Sequence, residues 1–97
     1  MESNKSHKAK TVRISIKHYL HDIFLIYRLL AEERKREGYV FSLSITQIGG
    51  SPQKRIFKLL PDISRNRDEA IEIYKAFSRG LVPPETADEI ISDMLGV

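Results

Sequence analysis

Two histidines in the first quarter of the chain have a spacing that suits metal binding. His18 and His21 are three positions apart, which places two imidazoles on one face of a helix, with Asp22 as the nearest further ligand. If the segment is a strand, the two imidazoles point to opposite faces and cannot share an ion. We therefore expect surface histidines, no metal site and no cofactor.

Catalytic chemistry finds little support in the residue types. The carboxylates of the last third fall on the exposed face of a predicted helix, where nothing desolvates them or shifts their pKa values. The chain has no cysteine and no histidine after His21, so a serine nucleophile has no base in the last 76 residues. Gly49-Gly50-Ser51-Pro52 lacks the Gly-Lys-Ser/Thr ending of a phosphate loop. We expect a protein that is not an enzyme.

Basic side chains at two predicted turns could contact nucleic acid. The candidates are Arg34, Lys35, Arg36, Lys54, Arg55 and Lys58, with Tyr19, Tyr27 and Tyr39 among them as base-stacking groups. Residues 1–60 hold twelve basic and five acidic side chains, whereas residues 61–97 hold four and eight. Because a basic sheet packed on acidic helices gives the same asymmetry, nucleic-acid binding is the alternative hypothesis rather than the first.

Alternation predicts strands in three parts of the chain. Residues 10–17 and 39–48 alternate apolar and polar side chains, as a strand with one exposed face does. The glycine-proline turn at 49–52 then leads into residues 54–60, with Phe57 and Leu59 on one face, so 39–60 reads as a hairpin.

Residues 20–33 fit both a helix and a strand. Leu20, Ile23, Phe24 and Tyr27 recur at helical spacing, yet the run from Ile23 to Tyr27 is rich in β-branched and aromatic residues. Such a run is typical of a strand buried on both faces. The pattern alone leaves both readings open.

Two short amphipathic helices are predicted at the C-terminal end. Asn66 and Glu69 form an approximate capping box for a helix over 67–79, and Gly80 is expected as its left-handed terminator. Pro83-Pro84 opens a second helix over 84–94.

A resemblance to a known family rests on short motifs spread over residues 20–95. They are Tyr39 leading a strand, Asp62-Ile63-Ser64, Pro83, and Asp93 and Leu95 in the final helix turn. In these positions the chain resembles a family of short clostridial (Firmicutes) proteins of unknown function. Thr86-Ala87 stand where that family carries a His-Leu pair. The resemblance implies an antiparallel meander, with a strand at 23–33, and no activity.

The prediction is therefore an α+β fold, an antiparallel meander of about four strands followed by two short helices on one face. Its 97 residues, 41% of them hydrophobic, suit a single domain over 10–97, with residues 1–9 as a flexible basic tail. No apolar run approaches the length of a membrane span, and we expect a cytoplasmic protein.

A sheet with helices on one face leaves its other face open, which suggests a function. We expect Val40, Ile48, Ile56 and Leu60 to share that face as an interaction surface for an unknown protein partner or a second copy.

Overall fold

Four consecutive antiparallel strands form one sheet in chain order. The computed structural model describes residues 9–96, and its strands are β1 (Ala9–Leu20), β2 (Ile23–Arg34), β3 (Gly38–Gly49) and β4 (Lys54–Ser64). Two helices follow: α1 (Arg67–Arg79) and, after a 3₁₀ turn at Pro84–Thr86, α2 (Ala87–Leu95). The predicted α+β meander with two C-terminal helices is confirmed.

The ambiguous segment at 20–33 is the strand β2. It pairs with β1 on one side and with β3 on the other, so it lies inside the sheet. Leu25, Tyr27 and Leu29 are completely buried on one face, while Phe24 and Ile26 lie on the other. Apolar side chains on both faces remove the period of two that would have marked the strand.

Helix α1 begins at the predicted cap, although half of the capping box is missing. The Asn66 side-chain oxygen accepts a hydrogen bond from the Glu69 backbone N–H at 2.8 Å. The Glu69 carboxylate accepts from the Ser64 hydroxyl at 2.6 Å, and that same hydroxyl oxygen accepts from the Asn66 N–H. Ser64, at the end of β4, thus joins the sheet to the first turn of the helix.

The left-handed residue that ends α1 is Leu81, and the prediction of Gly80 is wrong. Gly80 has φ −81°, an ordinary right-handed value, whereas Leu81 has φ 52°. The Val82 N–H bonds the Phe77 carbonyl and the Leu81 N–H bonds the Ser78 carbonyl, which is the Schellman pattern. The helix ends at Arg79 as predicted, but the left-handed residue that follows it lies one position later than predicted.

The hydrophobic core lies between one face of the sheet and the two helices. It contains Leu25, Tyr27 and Leu29 from β2, Phe41, Leu43 and Ile45 from β3, Leu60 and Ile63 from β4, Ala70, Ile73, Tyr74 and Phe77 from α1, and Val82 and Ala87 beyond it. The molecule measures 44 × 36 × 20 Å, so it is one sheet and one helical layer thick. Nothing within residues 9–96 forms a third layer over the second face of the sheet.

Residues 1–8 of the predicted tail lie outside the described residues. Ala9, which the prediction assigned to the tail, begins β1.

Candidate interaction face of the sheet

Cross-strand pairing assigns every central strand residue to one of two faces. Antiparallel partners point to the same side, so side chains that pair with the buried Leu25, Tyr27 and Leu29 face the helices. The alternate residues form the opposite side, which we call the open face. Its members are Ile14, Ile16 and His18 of β1, Phe24, Ile26, Arg28 and Leu30 of β2, Ser42, Ser44, Thr46 and Ile48 of β3, and Arg55, Phe57 and Leu59 of β4.

The open face is arranged in rows that run across all four strands. One row holds His18, Phe24, Ile48 and Arg55; the next holds Ile16, Ile26, Thr46 and Phe57; the third holds Ile14, Arg28, Ser44 and Leu59. The central row has no ionisable side chain, and the two basic residues of the first row, His18 and Arg55, lie at its ends. Apolar side chains hold the inner positions of the first row and three of the four positions of the central row, whereas Arg28 and Ser44 hold the inner positions of the third row.

Large apolar side chains on this face are exposed to solvent. Ile16 is 66% exposed and Phe57 62%, and Ile14, Phe24 and Leu59 are also exposed. Ile26, Leu30 and Ile48 are half-buried between them. Contiguous apolar patches of this kind are uncommon on monomers and often mark a binding site.

The charges of the open face are positive. Arg28, Arg55 and His18 are its ionisable members, and the three rows contain no carboxylate. Acidic side chains on the same side lie beyond the rows, where Arg34 pairs with Glu32 at 3.1 Å and with Asp62 at 3.0 Å. Hydrogen bonds to Asp62 and Glu32 raise the pKa of Arg34, so this cation stays paired at the far end.

Of the four residues predicted for the interaction surface, two lie on the open side. Ile48 is half-buried within the first row. Val40 pairs with Glu32 beyond the last row and is only 3% exposed. Val40 therefore offers little area to a partner.

Ile56 and Leu60 face the helices, and their predicted placement on the open side is wrong. Leu60 pairs with Leu43 and is buried in the core, while Ile56 pairs with Gln47, which itself pairs with Leu25. Their strand is apolar on both sides, so alternation could not orient it. The sequence feature that could have indicated the orientation of this strand is Lys58, which lies between Ile56 and Leu60 and would be attracted to an acidic helix.

Lys58 shows how the helices orient β4. Its ammonium donates to the Asp88 carboxylate of α2 at 2.6 Å. Both residues line a groove of about 310 Å³ with Gln47, Ile56, Phe57, Pro84 and Glu85. Phe57 and Leu59, which were predicted only to share one face of their strand, consequently point away from the helices.

The two basic clusters of the nucleic-acid hypothesis are not brought together. Arg34, Lys35 and Arg36 lie at the β2–β3 turn, whereas Lys54 and Arg55 begin β4 at the opposite end of β3. The ends of that twelve-residue strand are about 37 Å apart. Arg34 and Lys58 are engaged by carboxylates of the chain itself.

Tyr27, one of the predicted base-stacking residues, is not accessible to a nucleic acid. Its ring is completely buried beneath the helices. Tyr39 is exposed at the start of β3, but it pairs with Glu33 on the helix-facing side of the sheet. The exposed aromatic rings of the open face belong to Phe24 and Phe57, which were not among the predicted stacking groups.

The two histidines occupy a strand and a turn. His18 lies on β1, and its Nε2 is hydrogen-bonded to the backbone carbonyl of His21, which has φ 44° in the β1–β2 turn. Among residues 9–96 no three His, Cys, Asp or Glu side chains group in a way that could hold a metal ion.

Neither α1 nor α2 has the length and apolar character that crossing a membrane requires. Comparison of the chain with protein-family models, with curated proteins and with solved structures gave no match.

Proposed function

We propose that this chain is a small, non-catalytic protein-interaction module that binds through the open face. The observation that carries the proposal is the row of Ile16, Ile26 and Phe57, which runs across the sheet away from both helices. Covering a side chain of this kind contributes about 1.5–3 kcal/mol, so a partner that buried several of them would gain a useful affinity.

The composition of the face favours a protein as the ligand. Aliphatic side chains outnumber both the aromatic rings and the cations, and dispersion and burial are what such side chains offer. A surface that binds single-stranded nucleic acid combines stacked aromatics with a continuous basic track. Here the cations of the two turns are separated by the length of β3.

One structural observation supports nucleic-acid binding as the alternative function. Phe24 and Phe57 are exposed on the same face as Arg28 and Arg55, a combination that could stack and neutralise a single strand. This alternative predicts binding that weakens with salt and with the substitutions Lys54→Ala and Arg55→Ala.

Photochemical cross-linking inside cells distinguishes protein binding from nucleic-acid binding. Benzoylphenylalanine replaces Ile16 in one variant and Leu20 in a matched control, since Leu20 is on the same strand and similarly exposed but pairs with Ile23 outside the rows. We expect protein adducts from position 16 that resist nuclease and are absent from position 20. Equal adducts from both positions, no adducts, or adducts that nuclease removes would each overturn the proposal.

The clostridial family resemblance assigns no activity, and membership in that family stays a prediction.

A further inference from the structure

We propose that the occupant of the open face is a second copy of this chain, packed sheet against sheet about a twofold axis parallel to the strands. This rests on the proposed function, because it names the partner of the same surface. In this arrangement β1 of one copy lies over β4 of the other, and β2 lies over β3.

The size of the face argues for a sheet as its partner. Four strands and the rows from His18 to Leu30 span about 19 Å by about 27 Å, roughly 500 Å² in plan. A single helix is about 10 Å wide and would cover only half of that width. An identical sheet covers all of it, and together two copies would bury about 1,000 Å², the lower bound for a specific interface.

The first eight residues of the chain are a poor occupant. Their sequence, Met1-Glu2-Ser3-Asn4-Lys5-Ser6-His7-Lys8, has one large apolar side chain and two lysines. Such a segment does not match the apolar area of the face. A second copy supplies apolar area of the required kind and size.

The row contents select the direction of the axis. With the axis along the strands, each row faces itself with the strand order reversed, so Ile16 faces Phe57 of the second copy and Ile14 faces Leu59. Arg28 then lies over Ser44, which is uncharged and only 4% exposed. Apart from Ile26, which faces Thr46, the apolar residues of the three rows face apolar residues of the second copy.

An axis perpendicular to the strands gives a poorer match. It would reverse the rows about the central one and place Ile14 against His18 and Leu59 against Arg55. Ser44 would meet Ile48. Polar groups would then be covered by apolar side chains without hydrogen-bond partners, which is unfavourable.

The chosen arrangement brings His18 opposite Arg55 of the second copy at each end of the first row, so these basic residues need contact with water. His18 and Arg55 lie on the two edge strands, and Arg28 is one strand from the edge. Aligned sheets of this kind pack about 10 Å apart, and their corners splay, so these ends form a wet rim.

The first experiment measures the molecular mass by sedimentation equilibrium at protein concentrations from about 1 μM to about 1 mM. This range covers the dissociation constants expected for an interface near the lower size bound. We expect a reversible dimer. Ile16→Ser and Phe57→Ser should each raise the dissociation constant roughly tenfold or more, because each position is used twice in a symmetric dimer. Leu20→Ser, on the same strand, should leave it unchanged.

The second experiment tests the axis on the purified full-length protein. Benzoylphenylalanine at position 16 is photolysed at dimer-forming concentration, and the cross-linked peptides are read by mass spectrometry. We expect attachment to the peptide that contains Phe57. Attachment to the β1 peptide of the second copy would overturn the strand-parallel arrangement.

The outcomes separate this inference from the proposed function. A monomer throughout the concentration range, with nuclease-resistant adducts to a different protein in cells, would overturn the dimer and leave the interaction module standing. A monomer with no protein adducts from position 16 would overturn both.

Discussion

The Tyr27 hydroxyl donates a 2.8 Å hydrogen bond to the backbone carbonyl of Val82, fifty-five residues later in the chain. Tyr27 lies on the central strand β2, and Val82 lies in the connection between α1 and the 3₁₀ turn. Both residues are buried, so the bond ties the helical layer to the middle of the sheet. The carbonyl it satisfies belongs to a non-helical connection within the core.

Removing that hydroxyl should destabilise the fold measurably. We expect Tyr27→Phe to lower the free energy of unfolding by about 1–3 kcal/mol, because it leaves the Val82 carbonyl buried without its donor. Urea denaturation measures the change. Tyr39→Phe is the matched control, since Tyr39 is exposed and should change stability by less than about 0.5 kcal/mol. Indistinguishable curves for the two variants would contradict this role.

The same tyrosine should contribute to unfolding at alkaline pH. Burial raises the pKa of Tyr27 above its ordinary value near 10, with Tyr19 adding to the effect. Above about pH 10 the unfolded chain loses this proton and the folded chain keeps it, so stability must fall as the pH rises. Stability measured from pH 8 to pH 11 should therefore decline less steeply in Tyr27→Phe than in the wild type. A steeper decline in the variant would contradict the expected contribution of Tyr27 to the pH dependence of stability.

Gly49 occupies a position that only glycine can fill. Its φ is 120°, and a Cβ built there would lie 2.0 Å from the backbone oxygen of Asp22 in the β1–β2 turn. We expect Gly49→Ala to cost more than about 2 kcal/mol or to prevent folding, because backbone must move. Gly38→Ala separates the cost of a positive φ from the cost of a steric clash. Gly38 has φ 76°, but no atom lies within 4 Å of the added Cβ, so a loss of about 1 kcal/mol in the free energy of unfolding is expected. Thermal denaturation of both variants measures the difference, and equal effects would refute the steric explanation.

The Lys58–Asp88 pair should contribute modestly to the fold. Its ammonium and carboxylate are 2.6 Å apart but both side chains are partly exposed. A double-mutant cycle with Lys58→Ala and Asp88→Ala should give a coupling energy of about 0.2–1 kcal/mol that falls as salt is added. A coupling that salt does not change would argue against an exposed ion pair.

The N-terminal cap of α1 offers a fifth test. Asn66→Ala should lower the free energy of unfolding by about 0.5–2 kcal/mol, since the Glu69 N–H loses its acceptor. Asn66→Asp should retain most of the stability, because a carboxylate accepts the same bond. Equal loss in both variants would show that the side-chain oxygen is not what stabilises this helix end.

Local patterns in the sequence determined most elements of this fold, with β2 as the exception because its apolar run fitted both a helix and a strand. Alternation located β1 and β3, the turn at 49–52 located the hairpin, and Asn66 located the start of α1. These signals are local because backbone conformation depends on neighbouring side chains and on turn chemistry. The error at the end of α1 was a single residue, from Gly80 to Leu81.

Tertiary structure decided which side of each apolar strand faces the helices. In β4, Ile56 and Leu60 alternate with Phe57 and Leu59, and either set could form the core. Pairing of Leu60 with the buried Leu43 selected the first set and exposed the second. A one-residue shift of register exchanges the two faces of a strand, and a strand that is apolar on both sides has no preference of its own. The candidate interaction surface therefore depends on contacts between segments far apart in the chain, which local sequence patterns do not report.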